Sequence, residues 1–384
     1  VAVRIVSIVG TRPQLIKAAA LEPALRARWP TMLVDTGQHW DEAMAGAFFE
    51  ELGLPRPEHS LGVGGGSGVA QVGRMLLGLE PILAAQRPDA VLVYGDTNST
   101  LAGALAATRL GFPVAHVEAG LRSFDRRMPE EINRVVTDHL ARWLLAPTPA
   151  AVANLGAEGV RDGVALVGDL MQDLAARVGH QVRDPGVLGP IAAALRASAA
   201  TADDPVVGLD LRPGSFVFAT VHRAENREPA AMLAWTALAG ALARPERPVV
   251  IALHPGTRVA LEAASIPLPR WVVAIPPQGY RTTLALQLHA AAVLTDSGGV
   301  QRESAWLGVP CLVLRLTTEW VEAVATSEGR MVIVGLDVER ATAELDRLAP
   351  LDASPALAAE RARRLRLSPA GAAEAIVGVL AAGA

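Results

Sequence analysis

Short β-branched apolar runs alternate with alanine-rich stretches along the whole 384-residue chain, and no other feature narrows the choice of fold as far. The runs at 3–9, 32–35, 90–94, 114–117, 143–146 and 164–167 read as strands, with helices around 16–26, 42–52, 70–86, 100–110 and 130–140 between them. The pattern then restarts, with strands at 216–220, 249–252, 272–275, 293–295, 310–314 and 331–334. These runs are apolar throughout instead of alternating, as a parallel sheet covered on both faces requires. Two successive series predict an α/β chain of two doubly wound, Rossmann-like domains. The expected division is 1–170, 171–368 and a C-terminal helix at 369–384 that packs back on the first domain. The seam is placed within 168–212, where Gly, Pro, Asp and small residues gather. Ligands of such sheets sit beyond the carboxyl ends of the strands. Functional residues should therefore follow strands directly, and the active site is expected in the cleft between the two domains.

Composition removes several function classes. A net charge of −4 offers no field for nucleic acid or an anionic membrane surface. The single cysteine, Cys311, lies in the apolar run 309–314 and reads as a buried thiol; it can form neither an internal disulfide nor a cysteine-based zinc site. Apolar runs are interrupted well short of the roughly 18 residues a membrane span needs. The first residues open on a strand and lack the basic start of a signal peptide. A soluble, cytoplasmic protein is expected.

Several strand ends carry polar residues. Gly10-Thr11-Arg12-Pro13 follows the first strand and precedes a helix bearing Lys17. There the glycine allows a tight turn and the arginine can meet a phosphate. Asp96 follows the run 90–94, either as a helix cap or as a functional carboxylate. Strand 114–117 delivers His116, Glu118 and Gly120. Helical spacing after Pro129 puts Ile132, Val135, Val136 and Leu140 on a core face and leaves Glu131, Arg134 and Asp138 off it, with Glu131 free to point across the cleft. Strand 216–220 ends in Val221-His222-Arg223-Ala224-Glu225-Asn226, and His254 opens a helix after strand 249–252. Ser297-Gly298-Gly299 turns strand 293–295 into a helix whose free N–H groups suit a pyrophosphate, with Glu303 one turn on for ribose hydroxyls. The glycine-rich stretch 62–68 follows no expected strand and reads as a surface loop.

The stretches GTRPQLIKAAAL, DTGQHWDEAM, VYGDTNSTLAGALAA, HVEAGLRSFDRRMPEEINRVVTDHL, TVHRAEN, ALHPGTR, LTDSGGVQRESAWLGVPCLVL and TTEWVEAV run in one order from residue 10 to 324. With them the chain resembles the non-hydrolysing UDP-N-acetylglucosamine 2-epimerases. That resemblance implies the two-domain GT-B fold. It also implies elimination of UDP to a 2-acetamidoglucal and re-addition after protonation of C2 from the other face, with no metal or redox cofactor. It further implies catalytic roles for Asp96, Glu118 and Glu131, with His222 assisting. Arg12, Lys17, His254, Ser297, Gly298, Gly299 and Glu303 would bind the UDP-sugar, and the enzyme would be a homodimer.

Gln38, His39 and Arg74 match an allosteric UDP-sugar site, but Asp41 stands where that site has glutamine. Gln14 in place of glutamate, SFDRRMPEEINR and TTEWVE resemble a branch that includes archaeal-type UDP-N-acetylglucosamine epimerases and UDP-2,3-diacetamido-2,3-dideoxyglucuronate 2-epimerases. That uronate is the second substrate the sequence suggests, and its C6 carboxylate would call for Arg122, Arg126 or Arg127. A GT-B glycosyltransferase would share the fold and the nucleotide site, and a non-catalytic sugar-nucleotide sensor would share them too.

Overall fold

The computed structural model describes residues 4–38, 49–199, 201, 204–318, 320–351 and 371–383. The chain forms two compact units, Val1–Leu174 with Ser368–Ala384, and Ala175–Leu367.

The first unit carries β1 (Ile5–Val9), β2 (Thr31–Asp35), β3 (His59–Ser60), β4 (Ala90–Tyr94), β5 (Val114–Val117), β6 (Trp143–Ala146) and β7 (Val164–Leu166). They form one parallel sheet in the order β3-β2-β1-β4-β5-β6-β7. The second unit carries β8 (Val217–Thr220), β9 (Val249–Ala252), β10 (Val272–Ile275), β11 (Ala292–Thr295), β12 (Cys311–Val313) and β13 (Met331–Ile333). Its parallel order is β10-β9-β8-β11-β12-β13. Successive strand residues serve opposite faces. Val217 and Ala219 enter one apolar cluster, while Phe216 and Phe218 enter another on the far side of the sheet. Both faces are thus covered, which is why the strands read as unbroken apolar runs. Cys311 is buried, and burial pushes its thiol up to about 12.

Three features depart from the expectations. The two-residue β3 pairs with β2 and directly precedes the glycine-rich stretch, so that stretch does follow a strand. Helices Leu170–Gln181 and Leu188–Ala197 occupy the region whose composition marks only a seam. The Pro129–Leu140 helix does not bury its expected face most deeply: Glu131, Asn133, Arg134, Thr137 and Asp138 are buried, whereas Ile132 is 50% exposed and Val135, Val136 and Leu140 are half-buried. Nearly every buried polar group on that helix finds a distant partner, which offsets the cost of removing it from water. The expected helix at 42–52 lies largely outside the described residues.

The strand order reverses between β1 and β4 in the first sheet and between β8 and β11 in the second. At such switch points adjacent strand-to-helix turns diverge and leave room for a ligand.

Candidate active site

Gly10 closes β1. Its φ lies outside the left-handed region; instead, a Cβ there would come within 2.0 Å of Thr36 Oγ1 and 2.3 Å of Ser99 Oγ. Close packing, and not the expected tight turn, therefore demands glycine. Thr11 caps the Arg12–Arg26 helix in a capping box with Gln14. Gln14 Nε2 donates to Tyr94 O at 2.7 Å and to Thr100 Oγ1 at 2.9 Å, tying the turn after β1 to β4. A carboxylate could not make these bonds, so Gln14 is required by its own surroundings. Arg12 is exposed at the first turn.

Asp96 follows β4 after Gly95. Thr97, not Asp96, caps the Asn98–Arg109 helix, so the cap reading is set aside. The Asp96 carboxylate is 33% exposed and pairs with Arg134, whose other nitrogen lies 3.2 Å from Glu131. Glu118 follows β5 at φ 73, a left-handed conformation that costs a side chain on the order of 1 kcal/mol. Its carboxylate pairs with the buried Lys17.

Glu131 is 3% exposed and does not stand free, contrary to expectation. Its carboxylate accepts from Ser123 N, Ser123 Oγ and Phe124 N, each at 2.9 Å. Those bonds hold the loop after β5, where Phe124 lies at φ 60 and is 78% exposed. Three carboxylates and two buried cations thus gather at the carboxyl ends of β4 and β5. Arg134 escapes sequence reasoning because its place off the apolar stripe reads as surface.

In the second unit, His222 follows β8 and Asp296 follows the adjacent β11. Asp296 is the other residue that sequence reasoning misses. It is fully buried and accepts from His222 N, Arg223 N and Asn226 Nδ2, with His222 Nδ1 3.1 Å from Oδ1. Burial alone would raise its carboxyl; hydrogen bonds and charge from His222 outweigh that and hold it below the usual carboxylate range. A proton on Nδ1 facing Asp296 leaves Nε2 of the 41%-exposed His222 outside that pairing. Its place directly after the strand and beside Ser297 is the signal that could have found Asp296.

His254 caps the Pro255–Ala263 helix, its Nδ1 accepting from Gly256 N at 3.1 Å, and its ring centroid lies 6.3 Å from that of His222. Ser297 caps the Gly298–Leu307 helix, whose first residues, Gly298 and Gly299, carry N–H groups beyond the reach of intrahelical bonds. Glu303, one turn in, is buried and accepts from Gln287 Nε2 at 2.7 Å.

Of the residues matched to an allosteric site, Gln38 accepts from Ser99 N and Oγ, and Arg74 donates to Gly64 O and Gly65 O of the glycine-rich loop. His39 and Asp41 lie outside the described residues. Among the described residues no group of three or more His, Cys, Asp or Glu side chains is arranged to hold a metal ion.

The family model for UDP-N-acetylglucosamine 2-epimerase matches residues 24–380. The UDP-2,3-diacetamido-2,3-dideoxy-D-glucuronate 2-epimerase of Pseudomonas aeruginosa is 42% identical over 340 residues, covering 86% of this chain and 88% of that protein. A UDP-N-acetylglucosamine 2-epimerase homolog of Methanococcus maripaludis is 40% identical over 351 residues, covering 90% and 93%. The crystal structure of the Methanocaldococcus jannaschii UDP-GlcNAc 2-epimerase in complex with UDP-GlcNAc and UDP superposes with a TM-score of 0.81 at 33% identity, covering 99% of this chain and 100% of that one.

Proposed function

The chain belongs to the UDP-N-acetylglucosamine 2-epimerase family, and from that premise we propose that it interconverts UDP-N-acetylglucosamine and UDP-N-acetylmannosamine without hydrolysing them. The observation that carries this reading is the set of carboxylates at the ends of β4 and β5, each facing a buried cation. In the proposed reaction one carboxylate removes the C2 proton, the C2–H electrons form a C1=C2 double bond, and the C1–O bond breaks with its pair leaving on UDP. A second carboxylate protonates C2 of the glucal from the opposite face, and UDP adds back at C1. Asp96, Glu118 and Glu131 are the acid–base groups of this proposal, and His222 assists at the sugar or the leaving phosphate through Nε2. Glu131 meets the sugar only when the Ser123–Phe124 loop releases it. Arg12, Lys17, His254, Ser297, Gly298, Gly299 and Glu303 hold the nucleotide sugar, with the Gly298–Leu307 helix start on the phosphates.

Proton NMR in D₂O without added cofactor tests the proposal: both epimers should acquire deuterium at C2. Retention of the C2 proton in product would overturn it.

The 42% identity to a diacetamido-glucuronate epimerase supports a second substrate reading. Arg122 is unavailable to a C6 carboxylate, because it is buried against Asp138 and Glu158. Arg127 is bidentate to Asp125. Arg126 is exposed and without an ion pair among the described residues, so it is the arginine left for that role. A wild-type kcat/KM clearly higher on the uronate, lost in Arg126→Ala, would establish the second reading.

The proposal extends to a cytoplasmic homodimer. Exposed Ile132 beside the half-buried Val135 and Val136, with Val69 and Leu77 exposed on the Gly68–Gln86 helix, supports self-association. No described helix is long and apolar enough to cross a membrane. Sedimentation of wild type and Ile132→Asp tests the dimer, and cell fractionation tests the location.

A further inference from the structure

His116 lies within β5, is 0% exposed, and hydrogen-bonds to none of the side chains assigned to substrate. Its Nε2 is 2.7 Å from Gly95 O and its Nδ1 is 2.6 Å from Asp138 Oδ1. A carbonyl oxygen only accepts, so Nε2 carries a proton and donates it to Gly95. Asp138 is also an acceptor: its other oxygen takes N–H groups from Gly120 and from the Arg122 guanidinium, a set of partners that suits a carboxylate. A second proton therefore lies on the line between Nδ1 and Oδ1, and the ring donates from both ends.

Its two ends hold the two turns that matter most. Gly95 O belongs to the turn that presents Asp96. Asp138 Oδ2 accepts from Gly120 N at 3.1 Å and from Arg122 Nη1 at 2.7 Å, clamping the turn after Glu118. Gly95 itself sits against the Lys17–Glu118 pair, since a Cβ there would come within 3.1 Å of Lys17 Nζ and 3.2 Å of Glu118 Oε2. The left-handed Glu118 persists only because its surroundings over-determine it.

We propose that His116, with Asp138, is a positioning residue for the epimerase reaction: a buried strut, donating from both ring nitrogens, that sets the spacing of the Asp96 and Glu118 carboxylates across the sugar. The inference rests on the proposed elimination and re-addition. Both carboxylates must then be placed at C2, so a strut that slackens should let the glucal escape between the two half-reactions.

The test is His116→Phe, which keeps the ring and removes both donors, beside wild type and Asp138→Asn. Nucleotide binding is measured by calorimetry with UDP, turnover on UDP-N-acetylglucosamine by NMR, and released 2-acetamidoglucal per epimer formed by chromatography. Kcat per UDP-binding site should fall about 100-fold, as for a displacement of about 1 Å in a reacting group. KM and UDP affinity should change little, and the ratio of glucal to epimer should rise. That ratio counts events per turnover, so a mere loss of folded protein leaves it unmoved. An unchanged ratio with kcat per site near wild type in either variant would overturn the strut. Should neither variant fold, nitrogen-15 histidine NMR of wild type decides: one imidazole with slowly exchanging protons on both nitrogens is expected, and its absence refutes the assignment. Wild type that binds UDP but turns over no UDP-sugar strikes the epimerase reading itself, whatever the imidazole spectrum shows.

Discussion

Replacing Asp296 by asparagine should damage both the stability of the second unit and the chemistry assigned to His222. In the wild type one buried carboxylate accepts donors from His222, Arg223 and Asn226. An asparagine of the same shape has a single acceptor oxygen and turns an NH₂ toward donors, so one or two of them lose their partner. At about 1–3 kcal/mol for each buried donor left unsatisfied, the loss is roughly 1–6 kcal/mol. For a unit of this size, at about 2–4 °C per kcal/mol, that corresponds to a melting shift of roughly 2–24 °C. Kcat should fall by about 10²–10⁴, because His222 loses the group that orients its ring and selects its tautomer.

The pH dependence follows from the lowered carboxyl of Asp296. Its stabilisation is fully present above the unfolded value of about 3.9 and is lost as pH falls through the lower folded value. The gap between wild type and Asp296→Asn should therefore be widest at neutral pH and narrow below about pH 4. Thermal unfolding across that range, with steady-state kinetics at neutral pH, measures both effects. An unshifted melting transition with turnover within a few fold of wild type would refute the reasoning.

Asp96→Asn, Glu118→Gln and Glu131→Gln should each lower kcat by about two orders of magnitude while leaving UDP affinity, measured by calorimetry, nearly unchanged; full activity in Glu131→Gln would reduce that residue to a loop clasp. Gln14→Glu sets a carboxylate against Tyr94 O and removes two donated bonds, so denaturant unfolding should show a loss of about 1–3 kcal/mol. Glu22 is buried within the first unit and its carboxyl is raised chiefly by desolvation, with Arg26 opposing. Its folded value lies above its unfolded one, so ionising it costs stability as pH rises through and beyond that window. Glu22→Gln should accordingly melt higher than wild type at pH 8 and show no advantage at pH 4.

Periodicity alone determined most of the fold. The strands Ala90–Tyr94, Val114–Val117, Trp143–Ala146, Val249–Ala252 and Val272–Ile275 are legible residue for residue, because a strand buried on both faces must be apolar throughout. The rule that function follows strand ends singles out Arg12, Asp96, Glu118, His222 and Ser297 as candidates, since chain order places them there before any packing is known. β3 was not legible, as two exposed residues carry no period. The Pro129–Leu140 helix shows where local reading stops. Its polar stripe is buried more deeply than its apolar one because it is satisfied by His116, Arg122 and Asp96, residues 16 to 38 positions away. Likewise Asp296 meets His222 across 74 positions only because β8 and β11 are neighbours in the sheet. Hydrophobic periodicity is a property of adjacent residues and survives in the sequence; the pairing of buried charges depends on which distant turns the sheet order brings together, and only the tertiary structure decides that.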